Sequence, residues 1–359
     1  MEQRFAPEKA NPMTRLDPGH SQDSPMVSII VPCRNEEKYI SKCLDSVVVS
    51  KYSKSKMEVL VVDGMSTDKS RQIVQEYASR HSFVKLLLNP KQVIPAGLNI
   101  GVRSAQGSVI ILMNAHTVYD EFYVPRCVES LTNSDADNIG GIVIVTPGDG
   151  TYVAKAIARS LSHPFGVGPS HYKLSGSQNA RQADAVAFGC YRREVLMSLG
   201  LFNEDLRRSE DMDLNVRLRR RGGKILLNPN IICYQHARST LGAFCKHNFA
   251  NGFWVTYPLR FGSKPFSWRH LVPGGFVFAL IVLPTLGLFS KAFLWLVAGA
   301  LALYAIGSLG SSTWLAAKDR DLRHVGFLPI VFAVLHFSYG AGSVWGLLKV
   351  FLEGANRPA

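Results

Sequence analysis

Two short stretches carry side chains that could do chemistry. ILMNAHTVYD, residues 111–120, opens on an apolar run that stops at Asn114-Ala115-His116. Alternate residues of a strand share a face, so the Asn114 amide and the His116 imidazole are expected to project together from a strand end. A neutral imidazole nitrogen can ligate a metal; it can also hydrogen-bond a ribose or a phosphate. SEDMDLNVRLRRRGG, residues 209–223, opens on Glu210-Asp211 and ends basic. A carboxylate there can accept a proton from a hydroxyl nucleophile. The same pattern also complements a helix macrodipole, acids first and bases last, and on charge pattern alone the helix start is the stronger reading. His236, in YQHARST, follows an expected strand at 231–234, with Arg238 and Lys246 beyond it as possible phosphate partners.

Residues 26–146 supply the scaffold. MVSIIVP, MEVLVVD, VKLLLN and SVIILMNA read as four β-rich runs. Helical stretches separate them, over 36–49, to Arg80, and from Pro95 towards Ala105. Apolar strands alternating with helices predict a parallel sheet covered on both faces, a doubly wound α/β fold. Ligands bind such sheets at the carboxyl ends of the strands. Arg34-Asn35-Glu36, Asp63-Gly64 and Asn114-Ala115-His116 all fall at such ends. No G-x-G-x-x-G follows the first strand and no Walker-type G-K-S/T occurs, which weakens dinucleotide and P-loop readings. H-E-x-x-H and G-x-S-x-G are also missing, which counts against zinc peptidases and serine hydrolases.

VSIIVPCRNEEKYISKCLDSV, VLVVDGMSTDKS, NPKQVIPAGLNIGVRSAQGSVIILMNAH and DAVAFGCYRREVLMSLGLFNEDLRRSEDMDLNVRLRRRGGK occur in that order. Together they resemble glycosyltransferase family 2, inverting enzymes of the GT-A fold, and within it the succinoglycan-type exopolysaccharide enzymes. The resemblance covers roughly residues 26–255. It implies that Pro32, Arg34, Asn35, Glu36, Asp63, Gly64, Asn99, Arg103 and Asn114 bind a nucleotide-sugar donor, a UDP-sugar being favoured. It makes Asp211 the general base and Glu210 its orienting neighbour. It assigns a divalent ion to His116, Asn114 and His236, where the family usually has two carboxylates. Imidazole favours Mn²⁺ over the harder Mg²⁺. The implied activity is transfer of a sugar to a polyprenyl-diphosphate-linked saccharide in exopolysaccharide or cell-surface glycan synthesis. Alternatives are a processive polysaccharide synthase and a catalytically silent nucleotide-sugar-binding membrane protein.

Of the 359 residues, 47% are hydrophobic, and the excess lies at the end of the chain. Residues 271–289, 292–317 and 325–352 each reach the roughly 20 apolar residues needed to span a bilayer, which predicts three transmembrane helices and a tail over 353–359. The transferase domain is expected over 26–240 and an aromatic, basic membrane-interface segment over 241–270. Residues 1–25, polar and without an apolar core, read as a disordered arm, not a signal peptide. Within a net charge of +13, basic residues flank the spans at Arg260, Lys264, Arg269, Lys318, Arg320 and Arg323. This suits anionic lipid rather than nucleic acid and places the catalytic domain on the cytoplasmic side of the cell (inner) membrane. Three full spans would put the C-terminal tail outside. Six scattered cysteines fit reduced thiols.

Overall fold

A computed structural model of the chain describes residues 24–168, 179–263 and 268–354. The expected N-terminal arm, up to residue 23, and residues 355–359 of the tail lie outside the described residues.

The first half alternates strand and helix as the apolar runs require: β1 (Val27–Cys33), α1 (Ile40–Val48), β2 (Met57–Asp63), α2 (Ser70–Arg80), β3 (Val84–Leu88), α3 (Ile94–Ser104) and β4 (Val109–Leu112). β1 pairs in parallel with β2 and β4, and β2 with β3. Its side chains alternate between two cores. Val27, Ile29 and Val31 join one cluster with Val59 and Val61, while Ile30 joins another with Leu60, Leu98 and Val102. Burial on both faces explains why these strands are apolar throughout.

The second half turns the sheet mixed. β5 (Thr117–Tyr119), α4 (Tyr123–Thr132), β6 (Asn138–Thr146), α5 (Tyr152–Leu161), α6 (Pro164–Val167), β7 (Arg181–Gln182), β8 (Ala187–Arg192) and α7 (Arg193–Ser198) lead into α8 (Glu210–Arg220) and β9 (Ile225–His236). The strand order is β3-β2-β1-β4-β8-β6-β9-β5, with β7 beside β9. β8 is antiparallel to β4 and β6, and β5 and β7 are antiparallel to β9. Antiparallel pairing of β5 with β9 sets His236 beside His116, and the His236 amide lies 3.5 Å from the His116 carbonyl.

α9 (Leu241–Thr256) is followed by α10 (Val272–Leu286), α11 (Lys291–Asp319) and α12 (Arg323–Glu353). Among the described residues three helices are long and apolar enough to cross a membrane, over Trp268–Leu286, Lys291–Asp319 and Arg323–Glu353. α11 leaves Trp295, Leu303 and Ile306 at 77%, 73% and 68% exposure, an apolar surface that calls for lipid rather than water.

α12 behaves differently. It shares a core with α5 and α9 through Phe244, Leu328, Val331, Phe332 and Leu335. A Cβ on Gly252 of α9 would lie 1.9 Å from the Tyr339 carbonyl oxygen, and one on Gly342 of α12 would lie 2.0 Å from that of Phe249. Only glycine permits backbones to approach this closely. Thr256 Oγ1 donates to the Ser343 carbonyl at 2.7 Å and Ser343 Oγ to that of Gly252 at 3.2 Å. Both ends of α12 are tied to the preceding domain. His324 bonds Tyr152 of α5, and Glu353 pairs with Arg260 and accepts from Tyr257, just beyond α9. Within the segment expected at the membrane interface, α9 is thus packed along the last apolar helix.

Candidate active site

A cleft of about 720 Å³ opens at the carboxyl ends of β1, β2 and β4. Pro32, Arg34, Glu36, Gly64, Asn114 and His116 line it from the sheet, and Arg208, Glu210 and Asp211 from the start of α8. Arg238 follows β9, and His247 and Asn251 reach in from α9. Chain segments more than 200 residues apart thus meet as the strand-end rule requires.

α8 is held in place from within the domain. Arg217 donates to Asp213 at 2.8 Å and to the carbonyls of Leu199 and Leu201 at 2.7 Å. Its first turn then presents Glu210 and Asp211 to the cleft. Ser209, just before the pair, adopts a left-handed φ of 64°, a strained conformation for a residue with a side chain. Gln92 and Phe188 share this feature on the same cleft.

Withdrawal from bulk water raises the Glu210 pKa to about 8, and the neighbouring Asp211 charge adds to the shift. Asp211 moves in the same direction, again mainly through its recessed position. Its residue surface remains open to the cleft, so a substrate can reach it. Desolvation and the charge of the neighbouring carboxylate both favour keeping a proton on this pair.

The β1 loop is built by local bonds. Asn35 Oδ1 accepts from the Thr67 amide at 2.9 Å, and the Asn35 amide donates to Ser66 Oγ at 2.9 Å. Asn35 thus spends its amide oxygen on joining two loops. Arg34 Nη2 donates to Gln92 Oε1 at 2.6 Å across the cleft. A Cβ on Gly64 would lie 3.3 Å from Arg34 Cβ, so a side chain there would press on this arginine.

Besides Asn35 and His236, four residues read from the sequence as ligand contacts stand off the cleft wall. The Asp63 carboxylate is 1% exposed and accepts from Arg71 Nε and Nη2 and from the Ser66 amide, so it is already satisfied. Asn99 is buried, donating to the Phe202 carbonyl and to Glu204 and accepting from the Phe202 amide, each at 2.9 Å. It ties α3 to the segment before α8. Arg103 is exposed near Glu204, and Lys246 is exposed on α9. Sequence reasoning passed over Arg208, His247 and Asn251. The last two are four residues apart, the spacing of one helix face, and this was the available signal.

The metal assignment can be tested against the donor atoms. His116 Nδ1 lies 3.2 Å from Glu36 Oε1. Behind them His236 stacks on Tyr39 and bonds Thr146 through Nδ1, and its buried Nε2 has no partner among the described residues. Burial lowers the His236 pKa, which favours the neutral, ligating form. Among the described residues no three such side chains are grouped as a metal centre. An ion held at Glu36 and His116 would need further ligands, such as substrate phosphates.

Residues 28–200 match the family model described as "Glycosyl transferase family 2". The chain contains a family 2 glycosyltransferase domain. Two curated relatives align with this transferase over most of its length. One is the dolichyl N-acetyl-alpha-D-glucosaminyl phosphate 3-beta-D-2,3-diacetamido-2,3-dideoxy-beta-D-glucuronosyltransferase of Methanococcus voltae, 28% identical over 90% of this chain and 97% of the relative. The other is the succinoglycan biosynthesis protein ExoA of Rhizobium meliloti (strain 1021), 26% identical over 88% and 92%. Among solved structures, the mannosyltransferase PcManGT from Pyrobaculum calidifontis, in complex with GDP-Man and Mn²⁺, superposes with a TM-score of 0.57. It covers 91% of the transferase and 88% of that chain at 19% identity, a likeness of fold.

Proposed function

We propose that this transferase moves a sugar, with inversion, from a UDP-sugar to a saccharide carried on a polyprenyl phosphate or diphosphate, in surface-glycan or exopolysaccharide synthesis. The observation that carries this reading is the Glu210-Asp211 pair on a cleft whose adjoining wall, α9, is fixed to the apolar helix α12. The printed name of the Methanococcus voltae relative, which specifies a dolichyl phosphate acceptor, supports the lipid-linked class.

In this mechanism Asp211 accepts the proton of an acceptor hydroxyl while that oxygen attacks the anomeric carbon. The bond from that carbon to the diphosphate breaks, and its electron pair leaves with the nucleoside diphosphate. One displacement inverts the centre and needs no covalent intermediate. Protonated Glu210 can donate a hydrogen bond to the acceptor and orient it. Pro32, Arg34 and Gly64 lie under the nucleoside, with Asn35 and Asp63 supporting that wall from behind. Glu36 and His116, with Asn114 and His236 beside them, would hold a divalent ion, Mn²⁺ by preference. Such an ion, when bound, would neutralise charge on the diphosphate.

The transferase domain faces the cytoplasm in this reading, with α10 and α11 as a hairpin through the cell membrane. α12 stays with the domain, because both of its ends are tied there. The test is Asp211→Asn in the purified full chain, assayed with radiolabelled UDP- and GDP-sugars and lipid-linked acceptors. Transfer should fall by about 10²–10⁴-fold while calorimetric UDP binding persists. Near-normal turnover would reduce the acid pair to a helix start.

A further inference from the structure

A buried polar network ties α8 to the sheet beneath the cleft. Asn138 opens β6 and stands directly across from Tyr191 of β8. Its Nδ2 donates to the Tyr191 hydroxyl and to Asn215 Oδ1, each at 2.9 Å. Asn215 lies four residues beyond Asp211 on α8, one turn along the same helix face. All three side chains of the network are buried, and Tyr191 lines the cleft together with Asp211. Asn138 Oδ1 and Asn215 Nδ2 have no hydrogen-bond partner among the described residues. Gly189 keeps the space open: a Cβ there would lie 2.4 Å from Asn138 Oδ1 and 2.5 Å from Tyr191 Cε2. Leucine and phenylalanine would fill much the same volume and leave no polar atom unpaired, so the network is held at a cost to stability. Such a cost in a native core asks for a reason, and Asp211 supplies one.

We propose that Tyr191 is a positioning residue for sugar transfer: anchored by Asn138 and, through it, by Asn215, its hydroxyl orients the Asp211 carboxylate at the cleft floor. Burial raises the Tyr191 pKa and the Asp211 charge adds to the rise, so the phenol keeps its proton and acts as a donor. Asn138 occupies the hydroxyl oxygen as an acceptor, and no bond among the described residues uses the O–H itself, which is left for Asp211. A donor beside a carboxylate favours its ionised form, the form that can take a proton from an acceptor hydroxyl. The other titratable and charged groups around this hydroxyl are Cys190 of β8 and Arg217 of α8. Glu210 adjoins Asp211, and Arg208 faces Glu210. The bond to Asn215 serves the same end, because it fixes the turn that carries Asp211 against β6 and β8. The inference rests on the reading of Asp211 as the base.

The test compares Tyr191→Phe and Asn215→Leu with the unaltered full-length protein in lipid nanodiscs. Tyr191→Phe removes one oxygen and keeps the ring. In the transfer assay it should lower kcat about tenfold or more with the donor KM within about twofold, the pattern of an interaction made in the transition state. The acid limb of its pH–kcat profile should move to higher pH, because the ionised carboxylate has lost a donor. A second readout needs no turnover. The hydroxyl stabilises only the ionised carboxylate, so the thermal midpoint that Tyr191→Phe loses should be small below about pH 4 and grow towards about pH 8. Asn215→Leu should show both trends more weakly, and it keeps the test open if Tyr191→Phe does not fold. A loss of midpoint that is the same at every pH makes the hydroxyl a structural one and overturns the proposal. So does kcat within about twofold with an unmoved acid limb in Tyr191→Phe, when Asp211→Asn is inactive. Near-normal transfer by Asp211→Asn beside a pH-dependent loss of midpoint in Tyr191→Phe would keep the contact and overturn the base assignment instead.

Discussion

Arg71 directs both Nε and Nη2 at one oxygen of the Asp63 carboxylate, at 3.0 and 2.8 Å. The pair closes the end of β2 behind the nucleoside wall. Removing one partner of a buried pair leaves the other uncompensated, typically at about 3–5 kcal/mol. Arg71 keeps a third of its side chain exposed, so water recovers part of that loss. Asp63→Ala should therefore lower stability by about 2–3 kcal/mol, read from thermal or denaturant unfolding. Unchanged stability together with lost UDP binding would restore Asp63 as a direct ligand.

Glu210 gives a pH signature. Between its ordinary value of 4.5 and about 8, the folded chain keeps a proton that the unfolded chain has released. Folding then takes up a proton, and the contribution of this residue to stability falls as pH rises through that window. Glu210→Gln removes the effect. Its gain in thermal midpoint should vanish below pH 4 and be largest above pH 8. A gain independent of pH would mean that the carboxyl is not shifted.

A methyl group added at Gly252 meets the backbone of Tyr339, whereas one at Gly275 meets nothing within 4 Å. Overpacking of this kind costs about 1–3 kcal/mol. Gly252→Ala should loosen α9 from α12, seen as faster proteolysis after α9, and should reduce transfer because His247 and Asn251 move with the helix. Gly275→Ala is the matched control and should be neutral in both assays.

The membrane reading yields a two-point test. A reporter fused within residues 287–290 should report the exterior, and one placed after Gly354 the cytoplasm, because Glu353 pairs with Arg260 on the domain side. An exterior signal at both positions would make α12 a third full span.

Metal binding can be measured without turnover. Mn²⁺ titrated alone should bind weakly, and UDP should tighten it by adding phosphate ligands. His116→Ala should remove the tightening. Equal Mn²⁺ affinity with and without UDP would leave the Glu36-His116 contact a structural one.

The parallel strands were readable because residues buried on both faces are apolar throughout, and their polar ends marked the cleft. β5, β6, β7 and β8 were not read. β5 and β7 are short, and nothing local records that β8 would enter between β4 and β6, antiparallel to both. Asn99 shows the limit for single residues. Its sequence position suits a ligand contact, but the chain that satisfies it, Phe202 and Glu204, lies about a hundred positions away. Arg208 was hidden for the opposite reason: its partners, His247 and Asn251, sit on α9, in a stretch whose aromatic and basic composition pointed to lipid.

The interlock of Gly252 and Gly342 sets a height. Because α9 is seated on α12 rather than hung from a linker, Asp211 is held at one elevation above the apolar layer. If the acceptor is lipid-linked as proposed, a mount of this kind would favour saccharides whose reactive hydroxyl lies at that height.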